Sequence, residues 1–184
     1  MMAPSRTCRL AMGRYLGAAA VGNLAWELVQ MPLYGLWRTS SIWEVAFAAL
    51  HCTVGDVLIA GVSLTASLLL FGAPDWPRAR FLRVAATAVF FGLGVTVFVE
   101  HVATAWGIWT YSELMPVLPG LGTGLAPLAQ WVVVPLLAFT AANLLSKSKL
   151  RPVRTSEDFD LPTLAIITSA AAPDHLARPT RRAS

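Results

Sequence analysis

Four long stretches of the chain contain no Asp, Glu, Lys or Arg and are separated by segments that carry these residues. The charge-free stretches are residues 15–26, 57–74, 84–99 and 114–146. A helix needs about 20 mostly apolar residues to cross a bilayer. With the shallow polar flanks included, the pattern predicts helices at about 11–32, 43–71, 82–109 and 125–146. We therefore expect an all-α, polytopic membrane protein built as a four-helix transmembrane bundle.

The composition agrees with this class and excludes several others. Of the 184 residues, 56% are hydrophobic and 13% are charged, and the mean hydropathy is +0.61. Soluble domains carry about 25% charged residues. A disordered chain, a nucleic-acid-binding domain and a disulfide scaffold are thus excluded as the main description. Twelve of the 14 basic residues are Arg, which together with the alanine-rich composition indicates a protein of the bacterial cytoplasmic (inner) membrane.

The basic residues near the predicted helices fall almost entirely on one side. Cytoplasmic loops of membrane proteins are enriched in Lys and Arg. Only Arg38 follows the first helix, and the loop after the third helix has no basic residue. Both termini are therefore expected in the cytoplasm, with residues 1–10 as a short N-terminal segment and 147–184 as a disordered tail. The ten residues on the cytoplasmic side are Arg6, Arg9, Arg14, Arg78, Arg80, Arg83, Lys147, Lys149, Arg151 and Arg154.

Polar side chains occur at a similar depth in all four predicted spans. Ionisable residues are costly inside a bilayer and are functional candidates by default. At 1.5 Å per residue, Glu27, His51, Glu100 and Gln130 lie about 8 to 14 Å from the outer ends of their helices. Asp56 lies deeper in the second helix. The sequence thus predicts one polar layer in the outer half of the membrane.

This polar layer contains the groups that acid–base chemistry needs. A buried carboxyl beside a histidine can act as a general acid or base. We therefore interpret Glu100 as the acid or base, His101 or His51 as its partner, and Glu27 as a second carboxyl. Interhelical hydrogen bonding is the structural alternative for the same residues. The residues expected to bind a ligand around them are Trp26, Gln30, Asp56, Trp106 and Gln130.

A metal ion would also find ligands in this layer. Two histidines and two or three carboxylates suit zinc or non-haem iron. However, the adjacent Glu100 and His101 point about 100° apart on a helix and do not easily share one metal. We expect no cofactor, and a bound metal ion stays an alternative.

Aromatic residues mark the outer ends of the predicted spans. Trp and Tyr are enriched where a span meets the membrane surface. Trp26 and Trp106 lie deeper, beside the polar layer, where their ring faces could stabilise a carbocation. Four residues fit the aromatic belt at the surface: Trp37, Trp43, Trp109 and Tyr111.

Two neighbouring segments share a pattern with a known family. Residues 100–111 read EHVATAWGIWTY, and residues 124–131 read GLAPLAQW. With a buried Glu, a Gly-x-aromatic-x-Tyr exit and a Pro-led helix bearing Trp, this region resembles the membrane carotenoid hydratases and the lycopene-cyclase-type proteins. The resemblance covers residues 100–131 and implies an isoprenoid substrate, with Glu100 as an acid.

Three functions are compatible with the sequence. The first is a membrane isomerase, cyclase or hydratase that acts on an apolar lipid or isoprenoid by proton transfer. The second is a small proton-coupled carrier, which with four helices would act as a homo-oligomer, and the third is a non-catalytic assembly factor. The acids cluster in one half of the membrane, so we favour an enzyme with a pocket open to lipid. Its expected partners are the bilayer and an apolar lipid-like ligand, and not nucleic acid.

Overall fold

The computed structural model describes residues 5–148, with side chains as far as Leu144. The chain is helical within this range, as predicted, and apart from two isolated β-bridges these residues contain no strand. The predicted tail, residues 147–184, lies outside the described residues from 149 onward. The helices are α1 (Arg6–Gln30), α2 (Leu36–Thr39), α3 (Ile42–Phe71), α4 (Phe81–Ala105) and α5 (Leu125–Ser148), and a 3₁₀ turn (Met31–Leu33) follows α1.

Three of the long helices have the length and composition of membrane spans. They are α3, α4 and residues Leu125–Leu144 of α5. Their outward faces carry large apolar side chains, such as Phe47 of α3, Phe90 of α4 and Leu137 of α5, which are all exposed. Apolar surface of this extent is unusual on a soluble monomer, whereas it suits lipid acyl chains. The described chain therefore has the form of a multi-span membrane protein.

The four long helices form a bundle in which each helix has two main neighbours. α1 packs against α3 and α5, and α4 packs against the same two helices. α1 and α4 thus lie on one diagonal of the bundle. A β-bridge between Tyr34 and Tyr111 joins the chain after α1 to the chain after α4. We call the end of the bundle that carries this bridge the outer end, and the opposite end, which carries Arg6 and Arg80, the inner end.

An apolar core fills the inner half of the bundle. Tyr15 of α1, Leu64 of α3, Val84 of α4 and Phe139 of α5 are at most 1% exposed. The ring centroids of Tyr15 and Phe139 lie 4.4 Å apart. Small residues let membrane helices approach closely, which explains the alanines that surround these side chains. The alanines of this core are Ala11, Ala19, Ala60, Ala85, Ala88, Ala138 and Ala142.

α1 begins at Arg6, five residues before the predicted start. The side chain of Ser5 accepts a hydrogen bond from the backbone N–H of Cys8 at 3.1 Å and so caps the helix. The prediction began the helix after Arg6 and Arg9 because it followed the membrane boundary, whereas a capped helix can continue past that boundary. α3 and α5 begin and end within two residues of the predicted positions.

α4 ends at Ala105, so the predicted end at residue 109 is wrong. Gly107 has a φ angle of +67°. The Gly107 N–H donates to the Thr104 carbonyl at 3.2 Å, and the Ile108 N–H donates to the Ala103 carbonyl at 2.9 Å. This pair of bonds is the Schellman motif, in which glycine takes the left-handed conformation that ends a helix. The sequence remains apolar after the turn at Gly107, so a prediction based on hydropathy does not detect the end of the helix.

Two segments pair with each other across the outer end of the bundle. The Gly35 N–H donates to the Thr110 carbonyl at 2.9 Å, and the Ser112 N–H donates to the Leu33 carbonyl at 2.9 Å. A Cβ atom on Gly35 would lie 2.5 Å from Oγ1 of Thr110, so this close approach requires glycine. We call the paired segments, residues 32–35 and 109–112, the outer cap.

Candidate functional site

A cavity of about 250 Å³ lies in the outer half of the bundle. All four long helices contribute lining residues, and the outer cap contributes Tyr34 and Trp109. The cavity therefore joins side chains that are far apart in the sequence. Six of the nine predicted site residues line it: Glu27, Gln30, His51, Asp56, Glu100 and Gln130.

Glu100 on α4 is buried and accepts hydrogen bonds from three aromatic side chains. The Tyr34 hydroxyl donates to Oε1 at 3.3 Å, and Trp109 Nε1 donates to Oε2 at 3.3 Å. The Tyr111 hydroxyl also donates to Oε2. The oxygen of Tyr111 accepts a bond from the Gly124 N–H at 3.1 Å, which leaves its own proton for Glu100. Because an ionised carboxylate only accepts hydrogen bonds, these three donors fit the charged form of Glu100.

The two tyrosines in the outer cap keep their protons. Burial raises the pKa of Tyr34 above its ordinary range, and the negative charge of Glu100 raises it further. Burial also raises the pKa of Tyr111, and its hydrogen bond to Glu100 acts in the same direction. Both hydroxyls therefore remain donors to Glu100 at neutral pH.

A second cluster of polar side chains surrounds the carboxyl of Glu27 on α1. Gln30 Nε2 donates to Glu27 Oε1 at 2.8 Å and lies 3.2 Å from Gln130 Oε1. Gln130 Nε2 lies 2.8 Å from Asp56 Oδ2, 3.0 Å from Asn23 Oδ1 and 3.3 Å from Glu27 Oε1. An amide NH₂ group has two hydrogens, so Gln130 cannot donate to three oxygens at once. The acceptors of this cluster thus exceed the protons that Gln130 supplies.

The carboxyl groups of Glu27 and Asp56 are neighbours, because Glu27 Oε1 and Asp56 Oδ2 lie 3.3 Å and 2.8 Å from the same atom, Gln130 Nε2. Two ionised carboxylates have no proton to donate, and at this separation they repel. A hydrogen bond between them requires one shared proton. We call Glu27 and Asp56 the carboxyl pair. Its environment differs from that of Glu100, which accepts hydrogen bonds from three neutral donors.

The cavity contains little positive charge to balance its carboxyl groups. Among the described residues that line it, His51 is the only basic side chain, and neither Lys nor Arg is present. The ring of His51 stacks on Phe47, with 5.8 Å between the ring centroids. His51 is also exposed at the surface of the bundle. The local charge is therefore negative whenever Glu100 is ionised.

The exposed part of the cavity lining lies on two neighbouring helices. Only two of the lining residues are exposed, His51 on α3 and Val99 on α4. α3 and α4 pack against each other in the bundle. Because both helices have apolar outward faces, a ligand that entered between these two residues would come from the apolar surface of the bundle and not from its outer end.

Three of the predicted site residues lie outside the cavity. His101 is exposed on α4, because it is rotated about 100° from the buried Glu100. Trp106 is 77% exposed at the end of α4. Trp26 is half-buried and donates from Nε1 to Gln30 Oε1 at 3.2 Å, so it contacts the polar cluster from outside. None of the three contacts the space in which a ligand would lie.

Several residues of the site were not among the sequence-based candidates. Tyr34 was not assigned a role, and Trp109 and Tyr111 were interpreted as an aromatic belt. Trp109 and Tyr111 donate hydrogen bonds to Glu100 because the turn at Gly107 directs the chain back over the bundle. Thr96, one helical turn before Glu100, also lines the cavity, and its Oγ1 atom is buried and has no hydrogen-bond partner. In the sequence, Gly107 was the residue that could have indicated the turn that brings Trp109 and Tyr111 to Glu100.

Neither a metal site nor a relative identifies the protein. Within residues 5–148, no group of three or more His, Cys, Asp or Glu side chains is arranged to hold a metal ion. Comparison of the chain with family models, curated proteins and solved structures finds no match.

Proposed function

We propose that α1 is a fourth membrane span, so that the bundle crosses the membrane four times. α1 contains 25 residues, or about 37 Å at the rise of a helix, which exceeds a hydrocarbon layer of about 30 Å. Its polar residues Glu27 and Gln30 are buried in the bundle, whereas Val21 and Val29 are exposed. α1 is less apolar than the other helices because its polar face points inward and not towards lipid.

In this proposal both termini lie in the cytoplasm, and the membrane is the inner membrane of a bacterium. Arg6, Arg9 and Arg14 lie at the inner end of α1, and Arg78 and Arg80 lie in the connection from α3 to α4 at the same end. Basic residues are retained on the cytoplasmic side of membrane proteins. The cavity then lies in the half of the membrane that is remote from the cytoplasm.

In this membrane the protein acts as an enzyme that transfers protons to and from an apolar lipid of the isoprenoid type. The observation that carries this proposal is a cavity in which two neighbouring carboxyl groups, Glu27 and Asp56, lie apart from a third, Glu100, that accepts hydrogen bonds from three aromatic donors. Two acidic sites whose surroundings favour opposite protonation states are the usual basis for assigning an acid and a charge-stabilising group. Entry between α3 and α4 gives a lipid chain access from the bilayer.

The chemistry divides between the carboxyl pair and Glu100. The carboxyl pair donates its shared proton to one carbon of a carbon–carbon double bond, and the π electrons of that bond form the new C–H bond. The neighbouring carbon becomes a cation, which the charge of Glu100 and the aromatic faces of Tyr34 and Trp109 stabilise. Loss of a different proton to the carboxyl pair forms a new double bond and restores the pair. The net reaction is an isomerisation, or a cyclisation when a second double bond attacks the cation.

Two further considerations favour this reaction class. The resemblance of residues 100–131 to carotenoid hydratases and lycopene-cyclase-type proteins agrees with proton-initiated chemistry on a polyene. A proton-coupled carrier would need a polar route to the cytoplasm, and the inner half of the bundle is filled by the apolar core around Tyr15 and Phe139. An enzyme therefore explains both the polar outer half and the apolar inner half of the bundle, whereas a carrier does not explain the apolar inner half.

Lipid profiling of a deletion strain tests the proposed function. We expect the deletion to accumulate one apolar lipid and to lose another of equal mass, because isomerisation and cyclisation add no atoms. Wild-type protein and the Glu113→Gln variant, which alters an exposed acid outside the cavity, should restore the profile. The Glu27→Gln variant should not, although it reaches the membrane in equal amount. An unchanged lipid profile in the deletion strain would contradict the proposal.

A further inference from the structure

We infer that the cavity is a selective binding site for lipophilic ammonium ions, with Glu100 as the counter-ion and Thr96 as a second polar contact. The ligand would have a compact apolar body and a protonated amine. This inference rests on the proposed function for the entry of an apolar group between α3 and α4 and for the negative charge of Glu100. It deepens that function by naming positive charge as the feature that the cavity selects.

The first argument is the charge of Glu100. Its oxygens accept bonds from Tyr34, Trp109 and Tyr111, so the carboxylate is stabilised by neutral donors. Neutral donors stabilise the charge but do not cancel it. Across the part of the cavity wall that the structure describes, neither Lys nor Arg is available to do so. A buried charge without a partner is costly, and a cationic ligand would remove that cost.

The second argument is the hydroxyl of Thr96. Thr96 lines the cavity and is 6% exposed, and its Oγ1 atom is buried without a hydrogen-bond partner. Buried hydroxyls are normally satisfied, and several other threonines of this chain bond to the carbonyl four residues earlier, as Thr53 does with Ala49. Thr96 and Glu100 are four residues apart on α4, where side chains are neighbours about 5–6 Å apart. An ammonium group has enough N–H donors to bond to both.

The third argument is the shape and lining of the remaining space. The cavity of about 250 Å³ has aromatic walls formed in part by Tyr34, Trp109 and Trp131. Aromatic faces attract cations, while the apolar surface between α3 and α4 accommodates a hydrocarbon chain. This combination of features distinguishes an ammonium ion with a hydrocarbon body from a small hydrated cation such as sodium.

Geranylamine and geraniol are a matched pair of probes for this inference. They share one isoprenoid chain and differ in the head group, which is a protonated amine or a neutral hydroxyl at neutral pH. Binding to the purified protein in lipid nanodiscs can be followed by tryptophan fluorescence, because Trp109 and Trp131 line the cavity. We expect geranylamine to bind at least about 10-fold more tightly than geraniol, as the loss of a charge-assisted hydrogen bond would suggest.

Three variants and one control connect that preference to the named residues. Glu100→Gln should abolish the preference for the amine, whereas Glu100→Asp, which keeps the charge, should retain part of it. Thr96→Val should weaken geranylamine binding about threefold, in the range of one neutral hydrogen bond. Glu113→Gln should bind both probes like the wild type. Because the aspartate variant keeps the charge, the test does not depend on the folding of Glu100→Gln alone.

The outcomes separate this inference from the proposed function. Tighter binding of the amine that depends on Glu100 supports the inference. Equal affinities for geraniol and geranylamine, or an amine preference that survives Glu100→Gln, would overturn it and leave the lipid cavity intact. If neither probe binds, both the ammonium site and the lipid-binding cavity are wrong.

Discussion

In the inner half of the bundle the facing side chains are mainly aromatic, aliphatic or alanine, whereas in the outer half the same four helices face one another with carboxyl and amide groups. Tyr15 and Phe139 lie in the inner half, and Glu27 and Gln130 lie in the outer half on the same two helices, α1 and α5. The inner half therefore holds the helices together by packing. The outer half can keep an open cavity because its rigidity comes from the inner half and from the outer cap.

The comparison also explains how buried acids are tolerated in a small bundle. The buried carboxyl and amide groups Glu100 and Gln130 are held by side chains from other elements, as Gln130 is by Asn23 and Asp56, and Glu100 is by Tyr34 and Tyr111. These contacts connect all four long helices and the outer cap. The polar cluster is thus both a chemical site and a set of interhelical hydrogen bonds. The two roles can be distinguished only with a variant that keeps the interhelical hydrogen bonds and removes the acid–base chemistry, or the reverse.

The largest expected effect comes from opening a hole in the inner core. Phe139→Ala removes a ring that is 1% exposed and that lies 4.4 Å from the ring of Tyr15. We expect the free energy of unfolding to fall by about 3 kcal/mol or more, as for other large-to-small core substitutions. Reversible unfolding in mixed micelles measures this loss. Leu137→Ala on the exposed face of α5 is the matched control and should cost far less; equal losses would contradict the division into two halves.

A somewhat smaller effect, on activity and not on folding, is expected from the carboxyl pair. Asp56→Asn keeps the shape of the side chain but replaces the carboxyl group that shares a proton with Glu27 by an amide, which cannot donate that proton. Conversion of the lipid found in the deletion strain should fall about 100-fold or more, the usual loss for a general acid or base. The free energy of unfolding should change much less than in Phe139→Ala. Full activity in well-expressed Asp56→Asn would contradict the assignment of the acid.

The smallest effect tests the boundary between the two halves. Trp131 belongs to the apolar core and also lines the cavity. A Cβ atom on Gly92 would lie 2.1 Å from its ring, so Gly92→Ala must displace Trp131. We expect a loss of about 1–3 kcal/mol in stability, together with weaker geraniol binding. The control is Gly94→Ala on the same helix, where the added methyl group meets nothing within 4 Å. Its stability should be unchanged or slightly higher.

The sequence predicted the helices and most of the polar layer because both follow from local patterns. Charge-free stretches located the long helices to within a few residues, and helical rise placed Glu27, Glu100 and Gln130 at one depth. Whether Glu100 or His101 faces the inside of the bundle could not be predicted from these local patterns. Adjacent residues point in different directions, and only the packing of α4 against α3 and α5 determines which one is buried.

The outer cap could not be predicted for a different reason. Tyr34 and Tyr111 approach Glu100 from segments that are far apart in the chain, and their meeting depends on the turn at Gly107 and on the pairing of Gly35 with Thr110. Hydropathy does not contain this information, since aromatic residues at a span end also fit a membrane-surface belt. Hydrogen bonds between distant segments were therefore the main part of the site that only the structure could supply.

Infrared spectroscopy of the purified protein tests most directly the claim that the carboxyl pair holds a proton while Glu100 is charged. A protonated carboxyl has a C=O stretching band that shifts to lower frequency in D₂O. At neutral pH we expect one such band from the wild-type membrane domain. It should remain in Glu100→Gln and disappear in the double variant Glu27→Gln, Asp56→Asn. A band that persists in the double variant and is lost in Glu100→Gln would place the proton on Glu100 and contradict the account.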